Sequence, residues 1–247
     1  MSINLITGNE DAKRAVVNQW RMNKSSGTYL FYGKKGAYLK EFALAFAKGI
    51  NCNESVHDFC DKCRVCENIN KEIYSDLHII SASEGTVKID QIRELIKNAS
   101  ETSYEMGKKV FIIEDVNKLR KEASNALLKI IEEPPKDTYF ILLANSLNIL
   151  PTIKSRSLAI EIQKLTHEEL GVEESLYNFF LGDVKDIREF KAGAYTLSKE
   201  SYKSTAIYMK EYLETGEFLP KIKAYGALEN FILEKSYLSE IDKIAFA

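Results

Sequence analysis

No excess of charge of either sign marks this sequence. Lys and Arg total 34 against 36 Asp and Glu, a formal net charge of −2. That balance argues against a free-standing nucleic-acid binder, which carries a basic excess or stripe, and leaves open DNA contact inside a larger assembly. No apolar run approaches the roughly eighteen residues of a membrane span. The opening residues, Met1-Ser2-Ile3-Asn4-Leu5-Ile6-Thr7-Gly8, lack a basic segment followed by an apolar one, which predicts no secretory leader and a cytoplasmic location. Familiar hydrolase signatures are missing too: there is no G-x-S-x-G and no H-E-x-x-H. Cysteine is scarce, with four in the chain. In a reducing compartment four cysteines read as metal ligands or free thiols rather than disulfides.

What is present is an ordinary globular composition, 45% hydrophobic and 11% aromatic over 247 residues, enough for one α/β domain and a smaller appendage. Five short β-rich runs, 28–32, 77–82, 110–114, 139–144 and 159–162, alternate with amphipathic stretches. Most are continuously apolar, as strands covered on both faces are. Ile89, Ile92, Leu95, Ile96 and Ala99 share one helical face, and Ala123, Ala126, Leu127, Ile130 and Ile131 another. Alternating strands and helices predict an α/β fold with a mostly parallel sheet. Beyond Ile162 the periodicity is helical only. Thr166-His167-Glu168-Glu169 reads as a capping box, with Leu165 and Leu170 as its hydrophobic staple. Further on, Leu219, Ile222, Tyr225, Leu228 and Phe231 form one stripe, and Tyr202, Ile207, Tyr208 and Tyr212 contribute to another. These aromatic-rich helices fit internal packing or a surface for neighbouring chains.

The first strand leads into Gly33-Lys34-Lys35-Gly36-Ala37-Tyr38-Leu39-Lys40 and then a helix through Phe42, Ala43, Phe46 and Ala47. Strand, glycine loop and helix is the setting of a phosphate-binding P-loop. A working loop needs close backbone approach, a Lys for the β/γ-phosphates and a Ser/Thr hydroxyl for Mg²⁺. Aligned on Gly33 and Gly36, those three positions hold Tyr38, Leu39 and Lys40. The loop therefore reads as a vestige with no ATP expected, and Lys40 reaches phosphate only with a one-residue shift. The third strand ends in Glu114-Asp115, which fits a Walker B pair in reversed order; alone, two acids at a strand end are equally a solvated pair. Cys52, Cys60, Cys63 and Cys66 bring four thiolates close in sequence and suit a structural tetrahedral Zn²⁺. A redox CxxC pair is the rival and leaves two cysteines unexplained. His57 stands close enough in sequence to replace one thiolate, but with four cysteines present it reads as a bystander.

The order of these motifs resembles the clamp-loader branch of the AAA+ family. The resemblance lies in Gly8-Asn9-Glu10, in a cysteine module after the P-loop helix, and in Ile89-Asp90-Gln91-Ile92-Arg93-Glu94-Leu95. It extends to Ala126-Leu127-Leu128-Lys129-Ile130-Ile131-Glu132-Glu133-Pro134-Pro135 and Ser155-Arg156-Ser157, the last similar to the family's Ser-Arg-Cys motif, and it spans roughly residues 1–165. In that family, ATP-hydrolysing gamma/tau motor subunits are distinguished from delta-prime subunits, which carry a degenerate P-loop. The resemblance implies a delta-prime-type stator in bacterial DNA polymerase III, itself without ATPase activity. Arg156 is then an arginine finger offered in trans to a motor subunit, where an ordinary surface arginine is the plain alternative. Asn145 and Ser146 fall where sensor-1 residues sit.

The resemblance also implies an AAA+ base at 1–165 with a zinc module at about 50–68, a reduced helical lid at 166–190 and an abbreviated helical collar at 191–247. The implied partners are the motor (gamma/tau) and delta subunits in a hetero-pentamer, with the sliding clamp and primed DNA reached through the complex. Two rivals stand beside this reading. One is an active motor-type ATPase using Lys40 out of register; the other is an AAA+-derived, zinc-containing interaction protein outside replication.

Overall fold

The computed structural model describes residues 3–192, apart from residues 23, 55–57, 83–85, 106, 147–148 and 181. The two aromatic stripes beyond 200, His57 and nearly all of the expected collar lie outside the described residues. The chain divides into two compact units, Met1–Lys164 and Leu165–Ala247.

In the first unit the apolar runs form five parallel strands: β1 (Gly27–Tyr32), β2 (Leu77–Ile80), β3 (Lys109–Ile113), β4 (Thr138–Ala144) and β5 (Leu158–Glu161). Their order across the sheet is β2-β3-β4-β1-β5. Each lies within two residues of its sequence-based expectation. Helix α1 (Glu10–Arg21) precedes the sheet, and the crossovers come from α2 (Leu39–Asn51), α3 (Arg64–Asn70), α4 (Ile89–Ser100), α5 (Lys121–Glu132) and the single turn α6 (Pro151–Lys154). The central strands β3 and β4 are buried along their whole length, as strands sandwiched by helices must be. Edge position changes this for the outer two. On β5 only Ile160 is buried, and on β2 only Leu77, because each has a neighbour on one side alone.

On one face of the sheet, Ile92, Leu95 and Ala99 of α4 pack with Ala123, Leu127, Ile130 and Ile131 of α5 over Phe111, Ile113, Phe140 and Leu142. Ile153 of α6 is buried in the same cluster. Lys109, itself buried, donates from Nζ to the carbonyls of Asn98 at 2.9 Å, Ala99 at 2.7 Å and Glu101. A helix leaves its last carbonyls unpartnered, and here a strand-borne ammonium satisfies them at the negative end of the helix dipole.

The second unit opens with α7 (His167–Leu170), α8 (Glu174–Phe179) and α9 (Val184–Lys191). The Thr166 capping box forms: Thr166 Oγ1 accepts from the Glu169 N–H at 3.2 Å, and the Glu169 carboxylate accepts from the Thr166 N–H at 2.9 Å. The helix it starts is a single turn, closed by Gly171 at φ +60°. Leu176, Phe179, Phe180, Val184 and Ile187 are buried. Among the described residues no helix is long and apolar enough to cross a membrane.

Candidate functional site

The loop after β1 is held where a nucleotide loop belongs, at the carboxyl end of a central strand. Gly33 donates its N–H to the Ala144 carbonyl at 3.1 Å. A Cβ at Gly33 would collide with the Ile162 backbone oxygen, so this glycine answers to close approach of two chain segments. Gly36 takes φ +88°, a turn geometry that side chains resist. Inside the loop, the Ala37 N–H is bonded to the Lys34 carbonyl at 3.0 Å and the Leu39 N–H to the Ala37 carbonyl at 2.8 Å. The side chain of Tyr38, at 1% exposure, and that of Leu39 are both buried.

Lys40, in the first turn of α2, reaches toward the strand ends. Its Nζ lies 2.8 Å from Glu72 Oε1 and 3.3 Å from Glu114 Oε1. Burial lowers the Lys40 pKa, and the two carboxylates together outweigh it, so the ammonium is held above its usual range. The second oxygen of Glu114 accepts from Ser81 Oγ at 2.5 Å. Asp115 sits in the left-handed region, φ +51°, with Oδ1 accepting from Asn145 Nδ2 at 2.7 Å and Oδ2 paired with Lys118 at 2.9 Å. The two acids at the end of β3 thus each face a lysine of the chain itself. Glu72, Ser81 and Lys118 were not visible as site residues in the sequence. They come from separate connections, and only the fold brings them to this corner.

At the far end of α2 the four cysteines converge. One ligand atom from each of Cys52, Cys60, Cys63 and Cys66 lies within 4.8 Å of the others. Sulfurs bound to one tetrahedral Zn²⁺ at about 2.3 Å stand about 3.8 Å apart, so small side-chain adjustments suffice to hold an ion. Backbone N–H groups already point at the sulfurs: Cys60 N to Cys52 Sγ and Cys63 N to Cys60 Sγ at 3.3 Å, and Cys66 N to Cys63 Sγ at 3.5 Å. Such donors favour thiolate. The Cys60 thiol is pulled down to about 6, chiefly by the Lys62 N–H, while burial pushes Cys52 and Cys66 up. The segment is fastened by Lys48 of α2, whose Nζ meets Asp61 Oδ1 at 2.7 Å and Asn70 Oδ1 at 2.8 Å and lies 4.2 Å over the Phe59 ring. These four cysteines could hold a metal ion.

Arg156 follows α6. Its Nε donates to Glu132 Oε2 at 2.8 Å and its Nη1 to the Thr152 carbonyl at 3.0 Å. The side chain is 30% exposed.

Comparison with known proteins decides the lineage. The family described as DNA polymerase III, delta subunit, matches residues 8–166. The chain belongs to this clamp-loader family. Subunit delta' of DNA polymerase III from Bacillus subtilis is 35% identical over 153 residues, 62% of this chain and 46% of that protein. Subunit gamma from Buchnera aphidicola is 33% identical over 180 residues, 72% of this chain and 48% of that protein. The chain thus spans about half the length of these curated relatives. A gamma subunit-related protein of DNA polymerase III from Thermotoga maritima shares the fold at TM-score 0.54 and 19% identity, over 94% of this chain and 76% of that one. Membership of the clamp-loader family and the five-stranded parallel sheet agree with the AAA+ α/β reading of the sequence.

Proposed function

We propose that this chain is the delta-prime-type stator of a DNA polymerase III clamp loader: a cytoplasmic subunit that hydrolyses no ATP and completes a neighbour's ATP site with Arg156. The observation that carries the reading is the state of its own loop. Tyr38 and Leu39 fill the core where a working loop keeps a glycine and a phosphate-binding lysine. Lys40 stands against Glu72 and Glu114 in place of a Mg²⁺-binding hydroxyl. A metal–nucleotide complex brought here would have to displace that ammonium from its carboxylates.

Arg156 supports the other half of the reading. A guanidinium stays charged at any physiological pH and offers five N–H donors. Set against a γ-phosphate of an adjacent motor subunit, it would offset charge that grows in the transition state. Fingers supplied in trans accelerate GTPases by about 10³–10⁵. The wider role we propose is a place in a hetero-pentamer with gamma/tau and delta subunits that opens the sliding clamp and places it on primed DNA. Residues 166–190 would form a reduced lid and residues 191–247 an abbreviated collar. Cys52, Cys60, Cys63 and Cys66 would hold a structural Zn²⁺, which supplies four fixed bonds to a segment too small for its own core.

The test reconstitutes the full chain, or Arg156→Ala, with cognate motor and delta subunits. Complex size and ATP hydrolysis stimulated by clamp and primed DNA are followed together. We expect the variant to assemble and hydrolysis to fall strongly; unchanged hydrolysis would remove the finger. The 33% identity to a gamma subunit favours one rival, an active motor. ATP binding by the isolated chain at micromolar nucleotide would establish it.

A further inference from the structure

The acidic end of α5 is used by neither the loop after β1 nor the cysteine cluster. We propose that Glu132, the last residue of α5, is a positioning residue that fixes the plane of the Arg156 guanidinium for its neighbour's phosphate. The proposal rests on the finger reading above and adds to it a second residue and a geometry.

Both partners stand on elements anchored in one core. Ile131, beside Glu132, and Ile153, three residues before Arg156, are buried in the same cluster on one face of the sheet. The Arg156 backbone is fastened as well, its N–H donating to the Ile153 carbonyl at 3.1 Å. What the backbone leaves undetermined is the long side chain. A free arginine carries about 2 kcal/mol of rotamer entropy, and a group that must meet developing charge works best when its orientation is set beforehand.

The contacts of Arg156 do this at two of its three nitrogens. Nε is held by Glu132 Oε2 at 2.8 Å, and Nη1 turns back to the Thr152 carbonyl at 3.0 Å, with Ser155 Oγ at 3.5 Å. Two well-spaced anchors define the plane of a rigid, planar group. Nη2 has no hydrogen bond among the described residues, so this nitrogen is the one left to receive an anion. Chain stops fit the same purpose: Pro134 and Pro135 follow the C-cap Glu133 and keep Glu132 in the last turn.

The ion pair is a poor candidate for a purely structural role. The Glu132 side chain is 55% exposed, and exposed pairs add little to stability. Glu132→Gln is nearly isosteric, so the variant should fold and assemble as the wild type does.

The experiment compares full-length wild type, Glu132→Gln, Arg156→Ala and the double variant. Each is reconstituted with the motor and delta subunits, and ATP turnover stimulated by clamp and primed DNA is measured across ATP concentrations. Glu132→Gln should leave complex size and melting temperature unchanged and lower kcat roughly tenfold to hundredfold, as misplacement of a catalytic group does, with little change in KM. On the Arg156→Ala background it should have no further effect, whereas structural damage would add. If Arg156→Ala is inert, the finger reading itself fails. If Arg156→Ala is strongly impaired while Glu132→Gln keeps full turnover, the finger stands and the positioning role is wrong. A faster Glu132→Gln complex would also overturn the proposal, because Glu132 would then restrain Arg156.

Discussion

Two lysines show how differently one residue type is used. Lys109 is buried with its ammonium on the carbonyls of Asn98, Ala99 and Glu101. Burial lowers its pKa, while Asp76 and Glu101 act to raise it. Lys109→Met should strand those carbonyls and cost about 2–3 kcal/mol, since hydrogen bonds to a charged group count for more than neutral ones; urea unfolding would measure the loss. Lys40 bridges α2 to Glu72 and Glu114, but all three side chains are partly exposed. Lys40→Met should therefore cost no more than about 1 kcal/mol. On the stator reading it should also leave ATP unbound in a titration with a fluorescent nucleotide, because Tyr38 and Leu39 remain buried in the loop.

At the scale of elements, the cysteine segment joins α2 to α3 and contains few apolar side chains of its own. Phe59, Cys66 and Ile69 are buried, and Lys48 with Asp61 and Asn70 closes the polar side. If Cys52, Cys60, Cys63 and Cys66 hold Zn²⁺ together, chelation should expose residues 52–70 to protease while the sheet keeps its circular-dichroism signal. Cys63→Ser should lower bound zinc, measured by mass spectrometry of the native protein, and give the same local cleavage without chelator. A metal-free protein with an uncut segment would count against the site. At the other end of α2, Gly33→Ala pushes a Cβ into the Ile162 oxygen. Backbone cannot yield as a flexible side chain does, so the cost should be about 2 kcal/mol or more by thermal unfolding.

One pH-dependent contribution to the stability of the whole molecule comes from the edge strand. His78 of β2 stacks on Phe111 with ring centroids 4.7 Å apart. Burial lowers its pKa below the usual 6.5, with Lys109 acting in the same direction and Asp76, Glu101 and Glu94 opposing. An unfolded chain binds a proton in that range which the folded chain resists. Stability is then fullest above about pH 6.5 and declines as pH falls through the folded-state pKa. His78→Phe, which keeps an aromatic ring on Phe111, should flatten the fall in urea midpoint between about pH 7 and about pH 5. A steeper fall in the variant would contradict this account of His78.

Much of this architecture was legible in order along the chain. Apolar runs with helical stretches between them gave the five strands, because strands buried in a parallel sheet are apolar throughout, and helix faces repeat with their own period. Substitution of the loop by Tyr38, Leu39 and Lys40 was legible as well, since a phosphate loop depends on residue types at fixed spacing. The shortness of α7 was not, because a capping box starts a helix without setting its length. Nor were the partners of the site. Lys40 with Glu72 and Glu114, Asp115 with Asn145, and Arg156 with Glu132 are joined across separate elements. Sequence by itself determined the strands and the helix faces, which are local matters of period and residue type. Only the tertiary structure decided which charges meet, because parallel strands are joined by crossovers and their ends gather groups far apart in the chain.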